Sequence, residues 1–206
     1  MISTKEMFVF MFPGIMYFWV FFIGQGPMQE ILNERDSHTL HRLLASPVSL
    51  LQFLLSKMLG CFLLCGSIQM LLLLASAGLA GVWWGDPFLL VPVILACALS
   101  VTGLLAVVYA LAKTKEQAYS SSSGIVVVCA VLGGSFFPFE NFPALLQAIG
   151  QFVPNRWAIL ALQTVASSQP GVHVVKPVVF LCAIGLVGSV TACLLLRRQL
   201  AAGGKP

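Results

Sequence analysis

The feature that most constrains this chain is a series of apolar stretches, each close to the 20 or so residues that a helix needs to cross a bilayer. They cover residues 7–26, 58–80, 88–112, 117–137 and 177–196. Between them there is little polar sequence from which to build anything else. Of 206 residues 59% are hydrophobic and only 9% are charged, against about 25% charged in an ordinary soluble domain. That balance excludes a soluble enzyme, a disordered chain and a nucleic-acid binder. The sequence predicts an all-α polytopic membrane protein with a single transmembrane domain of five spans over residues 1–206.

Stretch 7–26 contains Pro13-Gly14, a soft break in a long aromatic run. It does not read as a signal peptide, because Lys5 is followed by Glu6 and no small-residue cleavage site comes after it. The fourth stretch is polar over Ser120 to Ser123 and apolar afterwards. Residues 141–168 hold two shorter apolar patches split by Val153-Pro154-Asn155-Arg156. Neither patch is long enough to span, so the region is expected to form re-entrant or interfacial helices. Asn141 is the expected N-cap of the first, which would stop before Pro154.

Orientation follows from where Lys and Arg fall. With five spans, one side carries Arg35, Arg42, Lys57, Lys113, Lys115, Arg197, Arg198 and Lys205, and the other Lys5, Arg156 and Lys176. The first group is expected in the cytoplasm, which places the N-terminus outside and the C-terminus inside. An outside start without a signal peptide points to a preceding span missing from this chain.

The most charged segment is 28–49, where Ile31, Leu32, Leu40, Leu43 and Leu44 recur at helical spacing among Glu30, Glu34, Arg35, Asp36, His38 and Arg42. It predicts an amphipathic helix over about 29–46 at the cytoplasmic surface, ended by Pro47. Such a helix is either a connector anchored at the interface or a docking surface for a soluble partner. His38 and His41 share a face, but two imidazoles without a third ligand do not make a metal site.

Gly133-Gly134-Ser135 and Pro138 close the fourth span, where glycines permit close approach or local unwinding. Ser135 is not a nucleophile candidate, because His38, His41 and His173 all lie outside the spans. The cysteines Cys61, Cys65, Cys97, Cys129, Cys182 and Cys193 lie in apolar runs and read as small apolar helix residues. There is no G-x-x-x-x-G-K-[ST] motif, and no charged residue lies in the centre of any span. Coupled carriers usually need such charges. Energy for active transport would have to come from another chain.

Three motifs together resemble the membrane subunit of ABC-2 type transporters, bacterial exporters of drugs, lipids or polysaccharides. Glu34-Arg35 followed by Thr39-Leu40-x-Arg42-Leu43-Leu44-x-Ser46-Pro47 resembles the family's cytoplasmic coupling helix. Gly133-Gly134-Ser135 with Pro138 is similar to the end of its fifth span, and Pro154-x-x-Trp157 to the element after its re-entrant extracellular helices. The family usually has six spans, and here the first span and the extracellular domain that follows it have no counterpart. The resemblance implies a non-catalytic permease of the bacterial cytoplasmic (inner) membrane. It binds no cofactor itself, pairs as a homodimer or heterodimer in the bilayer, and docks a separate ABC ATPase that uses the ATP. The alternatives are a membrane anchor that recruits a cytoplasmic partner, and a truncated permease without function.

Overall fold

A computed structural model of the chain describes residues 4–36, 50–167 and 171–203. The described residues contain seven α-helices and one 3-10 turn, with no strand among them. They are α1 (Thr4–Asp36), α2 (Leu50–Ala80), α3 (Pro87–Leu111), α4 (Lys115–Leu132), the 3-10 turn Phe139–Asn141, α5 (Ala144–Gly150), α6 (Pro154–Ala166) and α7 (Val172–Gly203). Four segments are long and apolar enough to cross a membrane: Phe8–Glu34, Leu51–Ala80, Pro87–Leu111 and Val172–Arg198. The protein is therefore a multi-pass helical membrane protein. Helix α4 has 18 residues, about 27 Å at 1.5 Å per residue, and its polar first turns, above all Lys115-Glu116-Gln117, keep it out of that group.

The helix ends follow from local chemistry. Asp86 caps α3 by accepting a hydrogen bond from the Phe88 amide at 2.9 Å, with Pro87 in the first turn, where it has no N–H to leave unpaired. Thr114 accepts from the Gln117 amide at 3.2 Å, and the Gln117 side chain accepts from the Lys113 amide at 3.0 Å. That reciprocal pair starts α4 at Lys115, two residues ahead of the expected Gln117. Helices α1, α3 and α7 continue through Pro13, Pro27, Pro92 and Pro177, as membrane helices can when neighbours support them.

Two expected boundaries change. Pro27 does not end α1, because Met28, Ile31 and Leu32 are buried against the bundle and hold the helix together as far as Asp36. Residues 29–36 are thus the last turns of the first long helix, not the opening of a separate surface helix. The fourth apolar stretch stops being helical at Leu132, and the residues up to Phe137 form a turn. The expected residues Thr39, Leu40, Arg42, Leu43, Leu44 and Pro47, with the His38/His41 pair, lie outside the described residues. So does the side chain of Arg35.

Helix α3 is the centre of the bundle, packing most extensively on α7 and also on α1, α2, α4 and α6. The α3–α7 crossing is built on glycine. A Cβ on Gly103 would lie 2.2 Å from the Gly185 carbonyl oxygen, and one on Gly188 would lie 2.6 Å from the Gly103 carbonyl oxygen. Small residues that bring backbones together are the usual basis of helix association in lipid, where no hydrophobic force separates protein from solvent. Polar side chains inside the bundle bond across helices, as where the Tyr17 hydroxyl meets Ser100 Oγ at 2.7 Å. Ser123 Oγ likewise donates to Gln25 Oε1 at 3.4 Å, tying the serine-rich face of α4 to α1.

Candidate functional site

Two regions hold the motif residues. The first is a junction where the end of α4, the 3-10 turn, α5 and the start of α6 close on α1. Gly133 caps α4 with helical torsions, and Gly134 follows at φ +81°. The Ser135 amide donates to the Ala130 carbonyl at 2.9 Å and the Gly134 amide to Val131 at 3.3 Å. This is the Schellman arrangement, and its left-handed position favours glycine. Gly133 is required for a different reason, since a Cβ there would lie 2.4 Å from Asn155 Cβ.

The turn seats on α1 at Gly14, where a Cβ would lie 2.6 Å from Ser135 Cα. One turn further along α1, Phe18 packs edge-on against Phe136, ring centroids 5.3 Å apart. Ser135 is buried, and its Oγ accepts a hydrogen bond at 3.1 Å from the Nδ2 of Asn155, which is fully buried. Asn155 Oδ1 is buried without a donor among the described residues. A buried amide oxygen left unpaired costs about 1–3 kcal/mol, so the junction is tightly packed yet not fully satisfied.

Pro138 immediately precedes the 3-10 turn, and Pro143, not the expected Asn141, occupies the N-cap position of α5. Asn141 is instead consumed by the turn. The Gln147 side chain then ties α5 back by donating to the Glu140 and Phe142 carbonyls. Pro154 is the first residue of α6, as its fixed φ suits. Trp157 is anchored through its Nε1, which donates to the Gln151 carbonyl at 2.7 Å, and its ring lies 4.7 Å from that of Phe180 on α7. Next to it the Arg156 guanidinium stacks 4.2 Å over the Phe139 ring and pairs with Glu140 at 3.7 Å. Burial lowers the pKa of that guanidinium, and the Glu140 carboxylate opposes the shift.

The structure thus brings Gly133, Gly134, Ser135, Pro138, Pro154 and Trp157 into one neighbourhood. Sequence reasoning missed Gly14, Asn155 and Gly150 as members. A Cβ on Gly150 would lie 2.5 Å from the Leu132 carbonyl oxygen. The only signal for them was their residue type, three glycine-sized or amide positions beside helix breaks.

The second region lies at the opposite end of the bundle. Glu34, near the end of α1, forms a 2.6 Å ion pair with Lys57 in the second turn of α2. Lys57 also lies 5.6 Å from the centroid of the Phe53 ring. Both charged side chains are about three-quarters buried. The pair joins the two long helices that segment 37–49 connects in the sequence.

Comparison with known proteins bears on the whole chain. Residues 3–194 match the sequence model of a family described as ABC-2 family transporter protein. The chain is also 27% identical over 156 residues to the linearmycin resistance permease protein LnrN of Bacillus subtilis (strain 168). The matched stretch covers 75% of this chain and 40% of that relative, so the chain spans less than half of the relative's length. No solved structure matches. A match that runs through all four long apolar helices and both motif regions leaves one assignment: the chain belongs to the ABC-2 transporter family.

Proposed function

We propose that this chain is the transmembrane permease subunit of an ATP-driven ABC-2 type exporter, coupling ATP hydrolysis by a separate ATPase to efflux of a drug, lipid or polysaccharide-like substrate. The observation that carries the reading is the family match over residues 3–194, together with the ion pair that joins the long helices α1 and α2, which the segment 37–49 connects in the sequence. In this reading α4 is a fifth, shorter span. Helices α5 and α6 are re-entrant or interfacial pieces on the outer side, and the clamped end faces the cytoplasm. Two such subunits pair around the substrate path.

Coupling follows physically from the clamp. An ATPase that grips this stretch of chain through Glu34, Arg35, Thr39, Leu40, Arg42, Leu43 and Leu44, bounded by Pro47, would push on the ends of α1 and α2 together. Helix α1 carries that tilt to Gly14, where Ser135 of the glycine turn rests, itself bonded to Asn155. The unpaired Asn155 Oδ1 lowers the cost of opening the junction.

The test separates docking from the clamp. Glu34→Arg and Leu40→Asp are each expected to leave membrane insertion intact while uncoupling the partner's ATP hydrolysis from efflux. For Glu34→Arg, pairing it with Lys57→Glu restores the ion pair, and recovered coupling would assign Glu34 to the clamp and not to the ATPase contact. Undiminished efflux by both single variants at normal expression would remove the coupling role from this segment.

A further inference from the structure

The motif reading leaves unexplained a groove of about 990 Å³ between α6 and α7. Its walls are apolar and aromatic, among them Phe152, Leu160, Val179 and Phe180, yet Arg156 and Lys176 both line it. Lys176 Nζ sits 5.5 Å from the centroid of the Trp157 ring, the ring that the Gln151 carbonyl fixes in place. Arg156, the residue before Trp157, is held by the Phe139 ring. Both cations thus line the groove, Lys176 against the immobilised indole and Arg156 against the Phe139 ring. Glu140 offsets part of the Arg156 charge but does not line the groove, which stays net positive.

Depth narrows what fits. Counting about 20 residues back from Arg197, the hydrocarbon region of α7 begins near Pro177. Lys176 then lies at head-group level, with Val179 and Phe180 in the first turn below it. Val175, Val179 and Phe152 are exposed along the rim, so the groove opens toward the lipid. A free soluble anion would gain nothing from such walls, and a zwitterionic head group would bring its own cation against Lys176. A molecule with a phosphate at head-group level and alkyl chains beneath it matches both.

We propose that the α6–α7 groove is a binding site for an anionic phospholipid, its phosphate between Arg156 and Lys176 and its upper acyl chain along Trp157, Val179 and Phe180. Occupancy fastens α6 to α7 and so steadies the junction at which α6 begins. The site does not depend on what the protein transports.

The test uses the full chain reconstituted in phosphatidylcholine vesicles, with tryptophan fluorescence quenched by brominated lipid. Subtracting the signal of a Trp157→Phe chain isolates the Trp157 component. Brominated phosphatidylglycerol is expected to quench that component at a much lower mole fraction than brominated phosphatidylcholine. Lys176 is exposed, so Lys176→Gln should fold normally and reduce the preference about fivefold, the effect of one interfacial cation. Arg156→Gln should reduce it by a similar factor, and Arg156→Lys should largely preserve it. Equal quenching by the two lipids in the unaltered chain would overturn the proposal. So would a preference that survives Lys176→Gln and Arg156→Gln together, or one abolished by inorganic phosphate, which would mark a site for a free anion.

Discussion

Gly103→Val is expected to cost about 3 kcal/mol and to give a chain that inserts but loses its heat-stable bundle. The Gly103 position faces the Gly185 backbone, with 2.2 Å between an added Cβ and the carbonyl oxygen. No rotamer change can relieve that contact, because both sides are main chain. Helices α3 and α7 must separate, and α3 is the element on which most of the others pack. Lost dispersion along the crossing is not replaced by a hydrophobic gain, since the alternative to protein contact is lipid of similar polarity. The internal control is Gly60, which has open space where its Cβ would stand. Gly60→Ala should be neutral or stabilising by about 0.5–1 kcal/mol. Thermal unfolding in detergent reads both, and equal transitions for Gly103→Val and the unaltered chain would refute the glycine crossing.

Gly14→Val is expected to act locally, lifting the Gly133-Gly134-Ser135 turn from α1. The added Cβ would lie 2.6 Å from Ser135 Cα and 2.9 Å from the Ser135 carbonyl oxygen, so again main chain must move. The movement pulls Ser135 away from Asn155 and weakens the Phe18–Phe136 contact. Amide hydrogen exchange resolves this from general destabilisation. Residues 133–137 should lose protection by about tenfold or more, equivalent to about 1.4 kcal/mol of local opening, while the amides of α3 stay slow. Unchanged protection over 133–137 would show that the turn does not rest on Gly14. If the junction opens during transport, the same variant should also raise ATP hydrolysis without efflux.

What the sequence made legible was set by periodicity and length. The membrane helices α2, α3 and α7 announce themselves because an apolar run of that length has few other fates, whereas Pro154, read as the stop of the preceding helix, is the first residue of α6. The boundaries at Pro27 and Pro177 were harder. A proline reads locally as a stop, and only the burial of Met28, Ile31 and Leu32 shows why α1 continues. The closest contacts were invisible for a related reason. Gly14, Gly103, Gly150 and Gly185 matter through the backbone they allow near them, and that neighbour lies far away in the chain. The spacing Gly185-x-x-Gly188 was a usable hint of a close helix crossing. Lys57 was readable as a residue reaching from a helix end, but its partner Glu34 depends on how α1 and α2 pack.

The two ends of the molecule fit one account. At one end Glu34 and Lys57 join α1 to α2, and α1 reaches the junction at Gly14 near its other end. A single long helix thus links the proposed site of energy input to a closely packed glycine turn. The proposed coupling takes its energy from a separate ATPase.

Affinity purification of the tagged chain from its native host in mild detergent, with identification of what accompanies it, tests the subunit assignment most directly. An ABC ATPase is expected to co-purify with the unaltered chain and to be lost with Leu40→Asp, while the variant itself is recovered at the same yield. Recovery of folded, unaltered chain with no ATPase would contradict the assignment and leave a membrane anchor or a non-functional permease.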